Sequence, residues 1–416
     1  MIECSDYIQE EILKNQAQIG LENLYMAAAW QVLSSTSIEC VKFGLTILGM
    51  MKTDDDKRIC NIVRVLALCD EFSFFCFCIM QTWWNGEEEI LNVAHKLEGW
   101  GRVHAIYFLK GEEDRTRRWL ISEGAHNDVH LSYSAYECYE KGRLYEKLAG
   151  PLMDSEFDGA CTIMEGLLDE GPMEGISKIT DSNDLFIRFF SQFKEHKATL
   201  YQYELVLNIL YYLHDKEGAG EEELAIIEKG VKIICSKECC NLVKKAAKKG
   251  EGTRLAEVLG FDFTEEYFSL LRSDCKKYRH LAATLMKEPD NVENVVKIFE
   301  DALDALGDIS EPKYWAFDDD IITTVFCLQE LKGHVGKGVS LLEKASKLSV
   351  RSLRNMVLNV AEAWIELSGC PIEDIAPSLK NILEAMLENE TVEEHKLRIQ
   401  GILNNQIYIP EPLEIG

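Results

Sequence analysis

LSVRSLRNMVLNVAEAWIELSG, residues 348 to 369, is the stretch whose reading decides the fold. Its apolar residues Leu353, Met356, Val357, Val360, Trp364 and Leu367 recur every three or four positions. That period places them in one stripe along an α-helix, whereas a half-buried strand would alternate every second residue. The same spacing recurs at Val292, Val295, Val296, Phe299, Leu303 and Leu306, and at Leu379, Ile382, Leu383, Met386 and Leu387. A fourth instance is Leu224, Ile227, Val231 and Ile234. Only 8 prolines interrupt 416 residues, and no alternating run is bounded by hairpin turns. The expected class is all-α.

Punctuation supports this division. Asp54, Asp55 and Asp56 precede a helix over Ile59 to Leu68, and Asp318, Asp319 and Asp320 precede one over Ile321 to Leu331. Carboxylates there accept bonds from free amides and oppose the helix dipole, so both triplets read as start signals. Gly86, Gly99, Gly111, Gly124, Gly142, Gly250 and Gly307 read as stops. These marks predict roughly 20 helices of about 10 to 17 residues joined by short connections.

A second stretch runs from Gly99 to Gly142: WGRVHAIYFLK, a turn, DRTRRWLISEG, a turn at Ala125 to Asn127, then DVHLSYSAYECYEKG. Like residues 348 to 369, it sets an Arg just inside a helix, followed by small and apolar residues at helical spacing. In this the chain resembles HEAT-type repeats, over about a quarter of its length. The resemblance implies an α-α superhelix, a HEAT-like or armadillo-like solenoid of antiparallel hairpins with a long concave face. The acidic segment HDKEGAGEEE (214 to 223) is the expected break, giving repeat segments over 1–214 and 220–407 and a tail over 408–416 that contains Pro410 and Pro412.

The formal net charge is -27, from 71 acidic and 44 basic residues. Such a field repels polyanions and favours a protein partner with a basic surface or segment. It argues against nucleic acid. None of the 14 cysteines forms a CxxC pair, and most, including Cys69, Cys138 and Cys327, fall at apolar helical positions, which points to a reducing compartment. Glu3, Asp6, Glu10 and Glu11 give the opposite of a signal peptide, and the apolar run Phe72 to Trp84 is too short to span a bilayer. A cytoplasmic protein with no membrane contact is expected.

Catalytic patterns are missing. There is no Gly-x-Ser-x-Gly, and GHVGKGVS (333 to 340) lacks the spacing and preceding strand of a phosphate loop, so it reads as a turn between helices. His126 and His130 share the i, i+4 spacing of zinc ligands, but Asn127 stands where a metalloprotease has its Glu, and Asn127 reads as a cap. Cys235, Cys239 and Cys240 lie in a helical pattern and read as buried thiols. No catalytic, cofactor or metal residue is assigned.

Two groups remain. Trp100, Arg102, His104, Arg115, Arg117, Arg118 and Trp119 concentrate the residue types enriched at interfaces, though Arg stems on Trp faces also occur in packing seams. Lys244, Lys245, Lys248 and Lys249, with Lys276, Lys277 and Arg279 downstream, form a basic patch that reads as a helix C-terminus without interleaved aromatics. The leading expectation is a protein-binding scaffold without intrinsic catalysis. The alternative, a HEAT-like nucleic-acid-binding protein or DNA glycosylase, requires the lysines of 244 to 249 and the arginines of 102 to 118 to line one concavity.

Overall fold

A computed structural model describes residues 2–171, 173–216, 220–307, 319–348 and 350–407. Among them it contains twenty-five α-helices, short 3-10 segments, one π-helical turn and no strand. The chain is all-α. It forms two compact units, residues 1–239 and 240–416, divided within a helix (Lys237–Ala247). Segment 214 to 223 therefore lies inside the first unit. Residues 217–219 and 408–416, with the side chains of Asp318 to Asp320, fall outside the described residues.

The first unit opens with α1 (Ile2–Lys14), α2 (Leu21–Ser34), α3 (Ile38–Leu48), α4 (Lys57–Leu66) and α5 (Asp70–Met80). It continues with α6 (Gly86–Ala94), α7 (Trp100–Phe108), α8 (Asp114–Trp119), α9 (Ser132–Gly142) and α10 (Leu144–Lys147). It closes with α11 (Asp154–Leu168), α12 (Ser182–Gln192), α13 (Leu200–Asp215) and α14 (Glu221–Ile234), before α15 (Lys237–Ala247) crosses the division. Each helix packs chiefly on the next or next-but-one, so α3, α5, α7, α9, α11 and α13 follow one another side by side.

Small residues set how closely these neighbours approach. A Cβ on Gly159 of α11 would stand 2.0 Å from the Ile121 carbonyl oxygen of the π-helical turn Leu120–Gly124, and one on Gly166 would stand 2.7 Å from Ala135 Cβ of α9. One stripe of α11 thus presses its backbone against both elements, and Phe157, Cys161, Ile163, Met164 and Leu167 are buried around it.

The second unit carries α16 (Thr253–Val258), α17 (Thr264–Ser273), α18 (Leu281–Met286), α19 (Val292–Ala305) and α20 (Asp319–Glu330). Then come α21 (Val339–Ser346), α22 (Arg351–Ser368), α23 (Ile372–Ile375), α24 (Pro377–Asn389) and α25 (Glu393–Leu403). From α17 onward the contacts again run mainly to the next helix and the next but one. The deciding helix α22 buries Leu353, Val357, Val360 and Trp364 as its period requires, and Trp364 Nε1 donates to the Leu331 carbonyl at 2.7 Å. Leu367, the last member of the predicted stripe, is exposed instead. It lies in the final turn, where Gly369 at φ 67° closes the helix.

Several local readings need correction. Asp56 does cap α4, accepting from the Arg58 N–H, and its bonds to Arg58 hold its carboxyl at about 2. Gly111, Gly250 and Gly307 have positive φ, but Gly99 precedes α7 and Gly86 begins α6, so these two open helices. After Gly142 the left-handed residue is Arg143. Cys138 and Cys327 are buried, whereas Cys69 is exposed at the N-cap of α5. Cys235 is exposed at the end of α14 and only Cys239 of its group is fully buried, because a helix break at Ser236 separates them.

Candidate functional site: an aromatic and acidic face on the first unit

The residues singled out between Trp100 and Trp119 do not form one surface. The Arg102 side chain is buried. It donates through Nη1 to the carbonyls of His126 at 2.7 Å and Glu123 at 3.3 Å, and its guanidinium lies 5.6 Å from the Trp119 ring. Burial lowers its pKa, with Glu123 and Glu98 opposing that shift. Trp119 is buried edge-on against His95. Arg117 donates to the Gly111 and Glu112 carbonyls and pairs with Asp114. Arg115 reaches Asn92 and Glu88, and Arg118 turns back on Asp114. These five tie the α8 region together.

Trp100 and His104 belong elsewhere. Asp70, at the start of α5, accepts from the N–H groups of Gly101 at 2.7 Å and Trp100 at 3.2 Å. It therefore caps α7 from outside that helix, where a carboxylate also opposes the dipole. The approach needs glycine on both sides of Trp100, since a Cβ on Gly99 or Gly101 would stand 2.6 or 2.9 Å from the Asp70 carboxylate oxygens. Held this way, α7 turns the stripe Trp100, His104 and Tyr107 toward the surface. Trp100 is 43% exposed and Tyr107 63%. His104 is half-buried with Nδ1 2.8 Å from Ser73 Oγ, and burial lowers its pKa, opposed by Asp70.

The next helices extend that face. Trp100 lies 4.9 Å from Tyr133 of α9, whose stripe continues through Tyr136, Glu137 and Glu140. Lys141 is occupied by the carbonyls of Ile106 and Tyr107 and by Glu137. On α11 the stripe is Asp158, Thr162, Glu165 and, just beyond, Asp169; His130 Nδ1 stands 3.3 Å from Asp169. On α13 it is Tyr201, Glu204, Asn208 and Tyr211. Tyr201 donates to Glu165, and Gln202 Nε2 donates to Asp158 at 2.6 Å. Burial and the Glu165 bond together raise the Tyr201 pKa, and burial with Glu140 and Glu174 raises that of Tyr136. Four adjacent helices thus carry rings and carboxylates side by side.

His126 Nε2 pairs with Thr162 Oγ1 at 3.1 Å while His130 faces Ser132 and Asp169, so the two imidazoles serve different partners. Among the described residues no group of three or more His, Cys, Asp or Glu side chains converges to hold a metal. Asn127 accepts from the N–H groups of Val129 and His130, although α9 begins only at Ser132. Residues 334 to 338 form a turn between helices, with Gly336 and Gly338 at positive φ, and α21 begins at Val339. No helix among the described residues is long and apolar enough to cross a membrane. No protein-family model matches the chain, and no curated protein matches it.

Tyr133, Tyr136, Glu137, Glu165 and Tyr201 escaped the sequence reading. A signal for them existed in the i, i+3, i+7 spacing of polar aromatics and carboxylates opposite each buried stripe. What the sequence lacked was the order in which those outer stripes stand beside one another.

Proposed function

We propose that the protein is a docking module, a stack of helical hairpins without catalysis of its own, that holds a basic segment of a protein partner against the face of α7, α9, α11 and α13. The observation that carries this reading is the alternation of rings (Trp100, Tyr107 and Tyr201 exposed, Tyr133 half-buried) with carboxylates (Glu137, Asp158, Glu165, Asp169). An arginine or lysine side chain gains from both at once. Its charge pairs with a carboxylate, and its guanidinium or ammonium is drawn to the negative face of a neighbouring ring, for about 0.5–1 kcal/mol at an exposed site. Tyr and Trp are also the residues that most often anchor interfaces. The formal charge of -27 adds attraction for a cationic partner at low salt, and at physiological salt the carboxylates within about 8 Å of the face carry most of it.

The glycosylase alternative asks the arginines of 102 to 118 to line a groove, and two of them, Arg102 and Arg117, donate to backbone carbonyls.

Isothermal titration of the full chain with an arginine-rich peptide tests the proposal. The expected result is saturable binding that weakens with salt and falls several-fold in Trp100→Ala and in Glu137→Gln/Glu165→Gln. Equal affinity in these variants would reduce the binding to bulk charge attraction and remove the assigned face.

A further inference from the structure

A surface of the opposite sign lies in the second unit. Lys244 and Lys245 of α15, Lys248 just past its end, and the segment Gly260 to Phe263 wall a concavity of about 640 Å³. Lys276, Lys277, Arg279, His280 and Phe326 line another of about 460 Å³. The two adjoin. His280 Nε2 stands 2.9 Å from the carbonyl oxygen of Gly250, two residues past Lys248, and Gly250 packs against the Tyr278 ring.

The sequence suggested that these lysines lacked aromatic company. The fold supplies it. Lys244 Nζ lies 4.5 Å from the Phe261 ring, Lys277 Nζ 4.8 Å from Tyr278, and the Arg279 guanidinium 5.1 Å from Phe326. Phe326 is 41% exposed. Lys244, Lys245, Lys248 and Lys249 are all exposed, and among the described residues none pairs with a carboxylate. Asp262 accepts from the Thr264 N–H and Asp274 from the Lys277 N–H, Glu251 acts on Lys277 at longer range, and Lys276 and Arg279 each have a partner already.

A helix dipole accounts for lysines at the end of α15. It does not account for a second cationic cluster, from a different segment, gathered beside half-exposed rings. An acidic peptide would use the lysines and leave those rings idle. Single-stranded nucleic acid uses both, with phosphates on the cations and bases stacked on the rings. The net charge of the chain does not prevent this, because at physiological salt a charge is screened beyond about 8 Å.

We propose that this strip, from Lys244 to Phe326, binds single-stranded nucleic acid without sequence preference. Fluorescence anisotropy of a labelled oligothymidylate 20-mer with the full chain tests it, with polyglutamate as competitor. Binding should appear at low salt and weaken as salt rises. Lys245→Glu/Lys248→Glu should weaken it at least tenfold and make the salt dependence shallower by roughly 1.4 in log–log slope, about 0.7 for each lost phosphate contact. Lys276→Glu/Lys277→Glu should weaken it similarly from the other concavity. Phe326→Leu, which keeps the apolar bulk but cannot stack, should weaken oligothymidylate several-fold. Absence of binding at low salt overturns the proposal. So does polyglutamate binding the strip as tightly as the oligonucleotide, with neither ligand sensitive to Phe326→Leu, since that outcome assigns the strip to an acidic protein.

Discussion

The indole of Trp100 and the phenol ring of Tyr133 meet with centroids 4.9 Å apart, tilted by 57°, joining the exposed stripes of α7 and α9. Both helices bury their opposite sides in the first unit, through Ala105 and Ile106 on α7 and Ala135 and Cys138 on α9. The pair therefore belongs to the surface, and its removal separates recognition from folding.

Trp100→Ala should lower affinity for an arginine-rich peptide at least fivefold while costing about 1–3 kcal/mol of stability, because a side chain 43% exposed still covers more than half of its surface. Parallel titration calorimetry and urea unfolding check both halves. A loss of several kcal/mol in stability would reclassify Trp100 as a core residue.

Arg102→Met should do the reverse. It removes the donors to the Glu123 and His126 carbonyls and the cation beside Trp119. Stranding those acceptors should cost about 2–3 kcal/mol in urea unfolding, with peptide affinity in the folded protein unchanged.

Gly159→Ala probes the closest helix approach in the first unit. The added methyl would meet the Ile121 carbonyl oxygen and Ser122 Cα at 2.0 and 2.6 Å, so backbone must move. Destabilisation of about 2–3 kcal/mol is expected, and the shift of α11 should also weaken peptide binding by displacing Glu165 from Tyr201. Urea unfolding and peptide titration of this variant read the two effects.

Acid should loosen the second unit through Glu390. Burial opposes ionisation of this carboxyl, but the Val392 N–H, Arg354 and His395 outweigh it and hold the pKa at about 2 against an ordinary 4.5. A depressed pKa means the unfolded chain takes up the proton more readily. The stabilisation is therefore complete above pH 4.5 and is lost as pH falls from there toward 2. Stability measured across that window should drop by about 2–3 kcal/mol more in the natural protein than in Glu390→Gln, which has no charge to lose.

The all-α class was legible because it depends on a period of three to four residues repeated along short windows, as in Leu353 to Trp364. So were Asp56 as a cap and Gly307 as a terminator, since each acts within one turn of its own position. The roles of Gly99, Gly101 and Gly159 were not. Each is glycine because a residue distant in sequence, Asp70 or Ile121, occupies the space a side chain would need.

The candidate sites divide on the same line. Composition and local spacing determined which residues could recognise a partner: arginines beside tryptophans, a run of lysines, an acidic excess. Tertiary packing decided which of them are free to do so, turning Arg102 and Trp119 inward, setting Trp100 against Tyr133, and bringing Phe261 and Phe326 under cations the sequence had left alone. The physical reason is that a stripe's outward or inward sense follows from its own helix, whereas the company it keeps follows from which backbones can approach closely enough to pack.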